Sequence, residues 1–181
     1  MPRFVVLLRG VNVGKNNRVP MARFVAVLEE LGYRAVQTVL NSGNAVFTAS
    51  GRDPAKHAAQ IATAIDREFQ VTTPVIVKSA SEFLSIVSET PSTPTEGQQS
   101  RFLVVLSMDA ARIAELEGLR SLVQTSERLW ITPRAAYIAF AGGILESPTG
   151  KSLLGPKWQH LTTRNWGTIR KLAALCGDNA S

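Results

Sequence analysis

The chain has 181 residues, with 20 Lys plus Arg against 14 Asp plus Glu, a net charge of +6 and 45 % hydrophobic residues. This is globular composition and excludes a disordered, collagen-like or fibrous chain. No apolar run approaches the roughly 18 residues of a membrane span, and one cysteine, Cys176, excludes an internal disulfide and a multi-cysteine metal site.

Residues 2–8 (PRFVVLL) form a nearly continuous apolar run, the pattern of a strand buried on both faces. The apolar part of this start is too short for a signal peptide. Pro20 then opens a helix in which Met21, Phe24, Val25, Leu28 and Leu31 recur at helical spacing, and Gly32 suits its C-terminal cap. Tyr33–Leu40 and Ala45–Ala49 read as strands around the turn Asn41-Ser42-Gly43-Asn44. Asp53-Pro54 starts a second helix, with Ala58, Ile61, Ala62, Ile65 and Phe69 on one face and His57 on its polar side. Pro74–Lys78 is a fourth strand. Strand, helix, strand, strand, helix, strand is the β-α-β-β-α-β plan of ferredoxin-like units.

Ser79 and Glu82 stand at capping-box spacing before a further helix. Residues 90–100 (TPSTPTEGQQS) are Pro/Ser/Thr-rich and read as a linker or mobile loop. Beyond them we expect a strand at Phe102–Leu106, a short helix at Asp109–Leu116 and strands at Leu122–Thr125, Leu129–Thr132 and Ala135–Phe140. A polar loop (141–161) and a last helix over Thr163–Cys176 follow. The expected organisation is a ferredoxin-like unit at 1–89, the linker at 90–100 and a second α/β unit with a C-terminal helix at 101–181. No tandem repeat of short period is visible.

The positive charge lies at the two ends of the chain. Residues 1–28 contain Arg3, Arg9, Lys15, Arg18 and Arg23 and no acid. Residues 147–177 contain Lys151, Lys157, Arg164, Arg170 and Lys171 and no acid. Clustered charge of one sign attracts anions; the alternative is that these side chains cover apolar surface with their stems.

In a ferredoxin-like plan, the loop after the first strand and the hairpin between strands 2 and 3 lie at one end of the sheet. RGVNVGKNNR (9–18) is therefore expected beside Asn41–Asn44. Gly10 and Gly14 allow tight turns, Arg9 and Lys15 offer charge, and the amides of Asn12 and Asn44 both donate and accept. The loop does not fit a P-loop, because Asn16 stands where Ser or Thr is needed. Its alternative role is a plain β-to-α connection. Thr149-Gly150-Lys151-Ser152 imitates the end of a P-loop without the upstream glycine, and keeps only a cationic Lys151 as a candidate. Thr163, Arg164 and Asn165 are expected in the first turn of the last helix, where backbone N–H groups and an arginine suit an anion. Neither His57 nor His160 has a ligand-spaced partner, and acid-free segments do not suit Mg²⁺, so no metal and no cofactor is expected.

The chain resembles the bacterial domain-of-unknown-function family 1697. The resemblance rests on LLRGVNVGKNNRVPMARFVAVLEELGY (7–33), TVLNSGNAVF (38–47) and TTRNWGTIRKLAAL (162–175), in that order. Positions that match its motifs include Arg9, Gly10, Asn12, Gly14, Ser42, Gly43, Asn44, Lys151, Thr163, Arg164, Asn165 and Trp166; Lys15 stands where the family usually has a second glycine. The resemblance implies an α/β fold with ferredoxin-like units and implies no reaction.

The expectation is thus an α/β (α+β) protein of the reducing cytoplasm that binds an anionic, phosphorylated or nucleotide-like ligand. The candidate ligand residues are Arg9, Asn12, Gly14, Lys15, Ser42, Asn44, Lys151, Thr163, Arg164 and Asn165. Three alternatives remain at this point. One is a metal-independent enzyme on a nucleotide or phosphorylated substrate, with His160 or Lys151 moving a proton. Another is a nucleic-acid-binding module, for which the central strands offer only Phe4 and Phe47 as stacking surfaces. The last is a protein-interaction protein without a small-molecule site. No membrane partner is expected.

Overall fold

The computed structural model describes residues 1–177 and divides into two units, Met1–Ser85 with the residues from Lys171 on, and Ile86–Arg170. The first unit contains β1 (Arg3–Leu8), α1 (Met21–Glu30), β2 (Arg34–Thr38), β3 (Asn44–Thr48), α2 (Pro54–Phe69) and β4 (Val75–Ser79). Its sheet is antiparallel with order β2-β3-β1-β4. This is the expected ferredoxin-like arrangement. β1 is buried from Phe4 to Leu8, as its unbroken apolar run requires.

Alternation along β1 sends Phe4, Val6 and Leu8 toward one core with Phe24 and Leu28 of α1 and Ile61 and Ile65 of α2. Each such side chain contributes about 1.5–3 kcal/mol by leaving water. Asp53 caps α2, its carboxylate accepting from the Ala55 amide at 2.9 Å, with Pro54 at the first helical position. Val5 and Leu7 point to the other face and are also buried. Gly32 ends α1 at φ +85°, as a C-terminal glycine should.

His57 is a correction. It is only 5 % exposed, not solvated. Its ring sits among Phe4, Tyr33 and Phe47. Nε2 lies 3.1 Å from the Gly51 carbonyl, which can only accept, so Nε2 carries a proton. Nδ1 lies 3.0 Å from the Tyr33 hydroxyl, which also lies 3.2 Å from Gln60 Oε1. Tyr33→Phe is expected to cost about 1–2 kcal/mol by removing the hydroxyl that both Nδ1 and Gln60 Oε1 face. A urea midpoint equal to that of the unsubstituted protein would refute the assignment.

After β4 comes α3 (Ala80–Ser88), whose Glu82 amide donates to Ser79 Oγ at 3.2 Å. The second unit then holds β5 (Phe102–Ser107), α4 (Ala110–Ala114), β6 (Arg128–Ile131), β7 (Ala136–Ala139), α5 (Pro148–Leu153) and β8 (Leu161–Asn165). α6 (Trp166–Gly177) follows. Its sheet order is β6-β7-β5-β8, again antiparallel throughout. Strand for strand, this is the order of the first unit. The second half is therefore a structural repeat of the first, although its irregular sequence hides the relation.

Several expectations for this half change. The stretch 90–100 includes most of a 3-10 helix, Glu96–Arg101, in which Gln98 Oε1 accepts from the Thr95 amide at 3.0 Å. Leu122–Thr125 is not a strand. α4 passes into a 3-10 helix, Glu115–Leu122, that buries Leu116 and Leu119 and runs through Gly118. The expected polar loop contains α5, capped by Ser147, whose hydroxyl accepts from the Gly150 amide at 3.3 Å. The last helix starts at Trp166 and not at Thr163, because Leu161–Asn165 pair with β5 from Ser107 to Leu103. Among the described residues, no helix is long and apolar enough to cross a membrane.

Candidate functional site

Antiparallel pairing of Leu7 with Asn44 and of Leu8 with Val75 fixes which segments meet at one end of the first sheet. They are the β1–α1 loop (9–20), the β2–β3 hairpin (39–43) and the approach to β4 (70–74). The first two were expected together. The third was not anticipated: the Arg9 amide donates to the Pro74 carbonyl at 3.2 Å, and Thr73 Oγ1 donates to the Arg9 carbonyl. The signal available was Thr72-Thr73-Pro74, a stop before a strand.

Asn12 organises the loop. Its Nδ2 donates to the Val19 carbonyl at 2.8 Å and to the Asn41 carbonyl at 2.7 Å, and its Oδ1 accepts from the Val19 amide at 2.8 Å. Asn17 closes the loop from the other side, its carbonyl accepting from the Asn12 amide at 2.9 Å and its Nδ2 donating to Gly10. The Asn12 amide group therefore ties the loop to the hairpin. Asn44 is fully buried, and its Nδ2 donates to the Val39 carbonyl at 2.9 Å. Both asparagines act on the backbone of the site. Ser42 is exposed at the hairpin tip.

The backbone of the loop alternates in hand. Gly10, Asn12 and Gly14 have φ of +62°, +57° and +64°, and the residues between them do not. Backbone of alternating hand turns successive N–H groups toward a common side, although the Asn12 N–H is taken by the Asn17 carbonyl. Val13, Gly14, Lys15 and Arg18 are exposed on the loop, while Arg9 is half-buried. Burial lowers the Arg9 pKa from its ordinary value. The second unit supplies an internal comparison. There the same connection, from β5 to α4, is made by Met108 and Asp109 alone. The fold does not need residues 9–20 to join a first strand to a first helix.

The remaining candidates lie in the second unit. Lys151 is exposed on α5. Gly150 is packed so closely that a Cβ would stand 2.0 Å from the Ile144 carbonyl, and the Thr149 hydroxyl donates to the buried Glu127 carboxylate at 3.2 Å. Thr149 and Gly150 are thus packing residues. Thr163, Arg164 and Asn165 are not in a helical first turn. They are successive residues of an edge strand, so Thr163 and Arg164 point to opposite faces. Arg164 Nη1 donates to Thr162 Oγ1 at 2.8 Å and to the Thr163 carbonyl at 2.9 Å. Asn165 caps α6, its Oδ1 accepting from the amide and the hydroxyl of Thr168. His160 Nε2 lies 3.8 Å from Glu115 Oε2. Among the described residues, no group of three or more His, Cys, Asp or Glu converges as a metal site would need. Burial pushes the Cys176 thiol up to about 11, away from a reactive thiolate.

A family model described as a protein of unknown function, DUF1697, matches residues 1–137. The chain belongs to the DUF1697 family. That match spans the whole first unit up to Ser85 and the loop–hairpin end described above. A solved structure described as conserved bacterial protein SP0830 from Streptococcus pneumoniae is similar to this DUF1697 chain at 23 % identity and a TM-score of 0.80. The likeness covers 97 % of this chain and 98 % of that one. At that identity, it is a statement about the fold. No curated protein is significantly similar to the chain.

Proposed function

We propose that this DUF1697 protein binds an anionic, phosphorylated ligand on the 9–20 loop of its first unit. The observation that carries the reading is the alternating backbone hand at Gly10, Asn12 and Gly14 beside exposed Lys15 and Arg18. Three further features support it. Residues 1–28 hold no acid. Asn12 ties the loop to its own far end at Val19 and to the hairpin at Asn41. The second unit dispenses with the loop altogether.

Chemically, such a loop offers phosphate oxygens its backbone donors other than the Asn12 N–H, which the Asn17 carbonyl holds, and offers two cations to the net charge. It presents no nucleophile–base pair, so binding is the reading and turnover is not. A stacking surface for polynucleotide is disfavoured, since Phe4 and Phe47 are 1 % and 0 % exposed within the helix-facing core.

Calorimetric titration of orthophosphate tests the proposal. Lys15→Ala and Arg18→Ala are each expected to weaken binding about tenfold, the loss of one charged hydrogen bond. Affinity of the unsubstituted protein should fall gently with salt, because one phosphate releases few counterions. An affinity left unchanged by the double substitution would remove the loop from the site. A steep salt slope toward oligonucleotides, with no orthophosphate binding, would favour a polyanion instead.

A further inference from the structure

Beside the loop–hairpin end of the first unit runs a groove of about 450 Å³, lined by Thr38, Val39, Leu40, Lys171, Ala174 and Leu175. Its volume is in the range of small-molecule sites. One wall is the end of edge strand β2 and the start of the hairpin. The other is the C-terminal half of α6, which belongs to this unit from Lys171 on.

Leu40 is the unusual residue. It holds φ +57° and leaves 53 % of its surface exposed. A branched apolar side chain rarely adopts this left-handed backbone, and nothing in its burial compensates it. Strain of this kind at an exposed apolar residue points to a use. Leu40 also precedes Asn41, whose carbonyl accepts from Asn12 Nδ2 at 2.7 Å. The groove therefore begins one residue from the anchor of the anion loop. Its wall carries a cation, Lys171, and among the described residues no acid lines it.

We propose that the ligand is a phosphate monoester with an apolar, aromatic-sized body, and that this body lies in the groove over Leu40 and Leu175. This rests on the anion-binding reading of the 9–20 loop and adds the chemistry of the rest of the ligand. Lys171 offers a third positive charge to the ester, beside Lys15 and Arg18, and Ala174 leaves room on the helix side. The groove wall brings a cation from the C-terminal acid-free segment next to the hairpin that the N-terminal one anchors.

Titration of the full chain with two probes, orthophosphate and phenyl phosphate, tests this. The unsubstituted protein should bind phenyl phosphate at least tenfold more tightly. Leu40→Gly should bring the two affinities within twofold of each other and leave orthophosphate unchanged. Glycine accepts the positive φ, so the thermal midpoint should not fall. Ala174→Glu, at an exposed helix position, should abolish the phenyl preference by a second route and covers the case in which the glycine variant folds poorly. Orthophosphate binding with no gain from the phenyl group overturns the groove assignment and leaves the loop reading standing. A preference that survives both substitutions also overturns it. Failure of both probes to bind overturns the loop reading, and the groove assignment with it.

Discussion

Gly43→Ala is expected to destabilise the first unit by about 3 kcal/mol or more. Gly43 holds φ +75°, and a Cβ there would stand 2.6 Å from Leu8 Cβ and 2.8 Å from Val11 Cγ2. Left-handed backbone costs a side chain about 1–2 kcal/mol, and overpacking a filled site adds about 1–3 kcal/mol. The position has no compliant neighbour: Leu8 ends β1 and is fully buried, Val11 is 2 % exposed, and the Gly43 carbonyl accepts from the Leu8 amide at 2.8 Å. The hairpin can move away from Leu8 only by breaking that bond and lifting from the loop. Urea denaturation followed by circular dichroism measures the loss. Orthophosphate titration of the folded fraction should show weakened binding as well, because Val11 is part of the loop. A stability within about 0.5 kcal/mol of the unsubstituted protein, the scatter of neutral surface changes, would show that the hairpin does not press on the loop.

Gly150→Ala is expected to cost about 3 kcal/mol in the second unit, at the upper end of overpacking. Here the backbone is helical, and the obstacle is proximity. The added carbon would meet the Ile144 carbonyl at 2.0 Å and Ile144 Cγ1 at 2.7 Å. The first of these is backbone, which no rotamer change relieves. Ala is the better helix former, so any gain in stability would contradict the close approach directly. The neighbouring Lys151→Ala, at an exposed position, should change stability by less than about 0.5 kcal/mol. The contrast separates the two readings of Thr149-Gly150-Lys151-Ser152. A packing motif fails on glycine and tolerates loss of lysine; a phosphate loop loses its ligand when the lysine goes.

Burial of ionisable groups adds a pH dependence of defined sign. Burial first, and then the Glu89 charge, raise Tyr137 to about 12 from an ordinary value of 10.0. The folded protein therefore holds a proton that the unfolded chain releases. This stabilisation is whole below pH 10 and is lost as pH rises toward 12.

Much of the first unit was legible because its signals are local. Pro20 before an apolar helical stripe, Asp53-Pro54 as a cap, and Asn-Ser-Gly-Asn between two strands each satisfy a backbone need within a few residues. The ends of the chain carry the same kind of information about charge: acid-free segments are a property of composition. The misplaced start of the last helix shows where local signals stop. Thr162-Thr163-Arg164-Asn165 suits a helix cap and a strand equally well, and pairing with β5 decides for the strand. Asn165 still caps the helix, three residues before Thr168. His57 was misread for a related reason. A histidine at the edge of an apolar stripe goes inward only if both ring nitrogens find partners, and those are Tyr33 and Gly51, from outside its helix.

The ferredoxin-like order of the first unit, the acid-free ends and the glycine–asparagine composition of the 9–18 loop are each written within a short stretch of chain. Tertiary structure alone decided that the second half repeats that order, that Asn12 is spent on Asn41 and Val19, that Leu40 stands strained and exposed, and that Lys171 lines the groove beside it. The physical reason is the same in each case. Strand pairing and hydrogen bonds between distant residues select among local conformations of nearly equal free energy, and their partners lie outside any window of sequence.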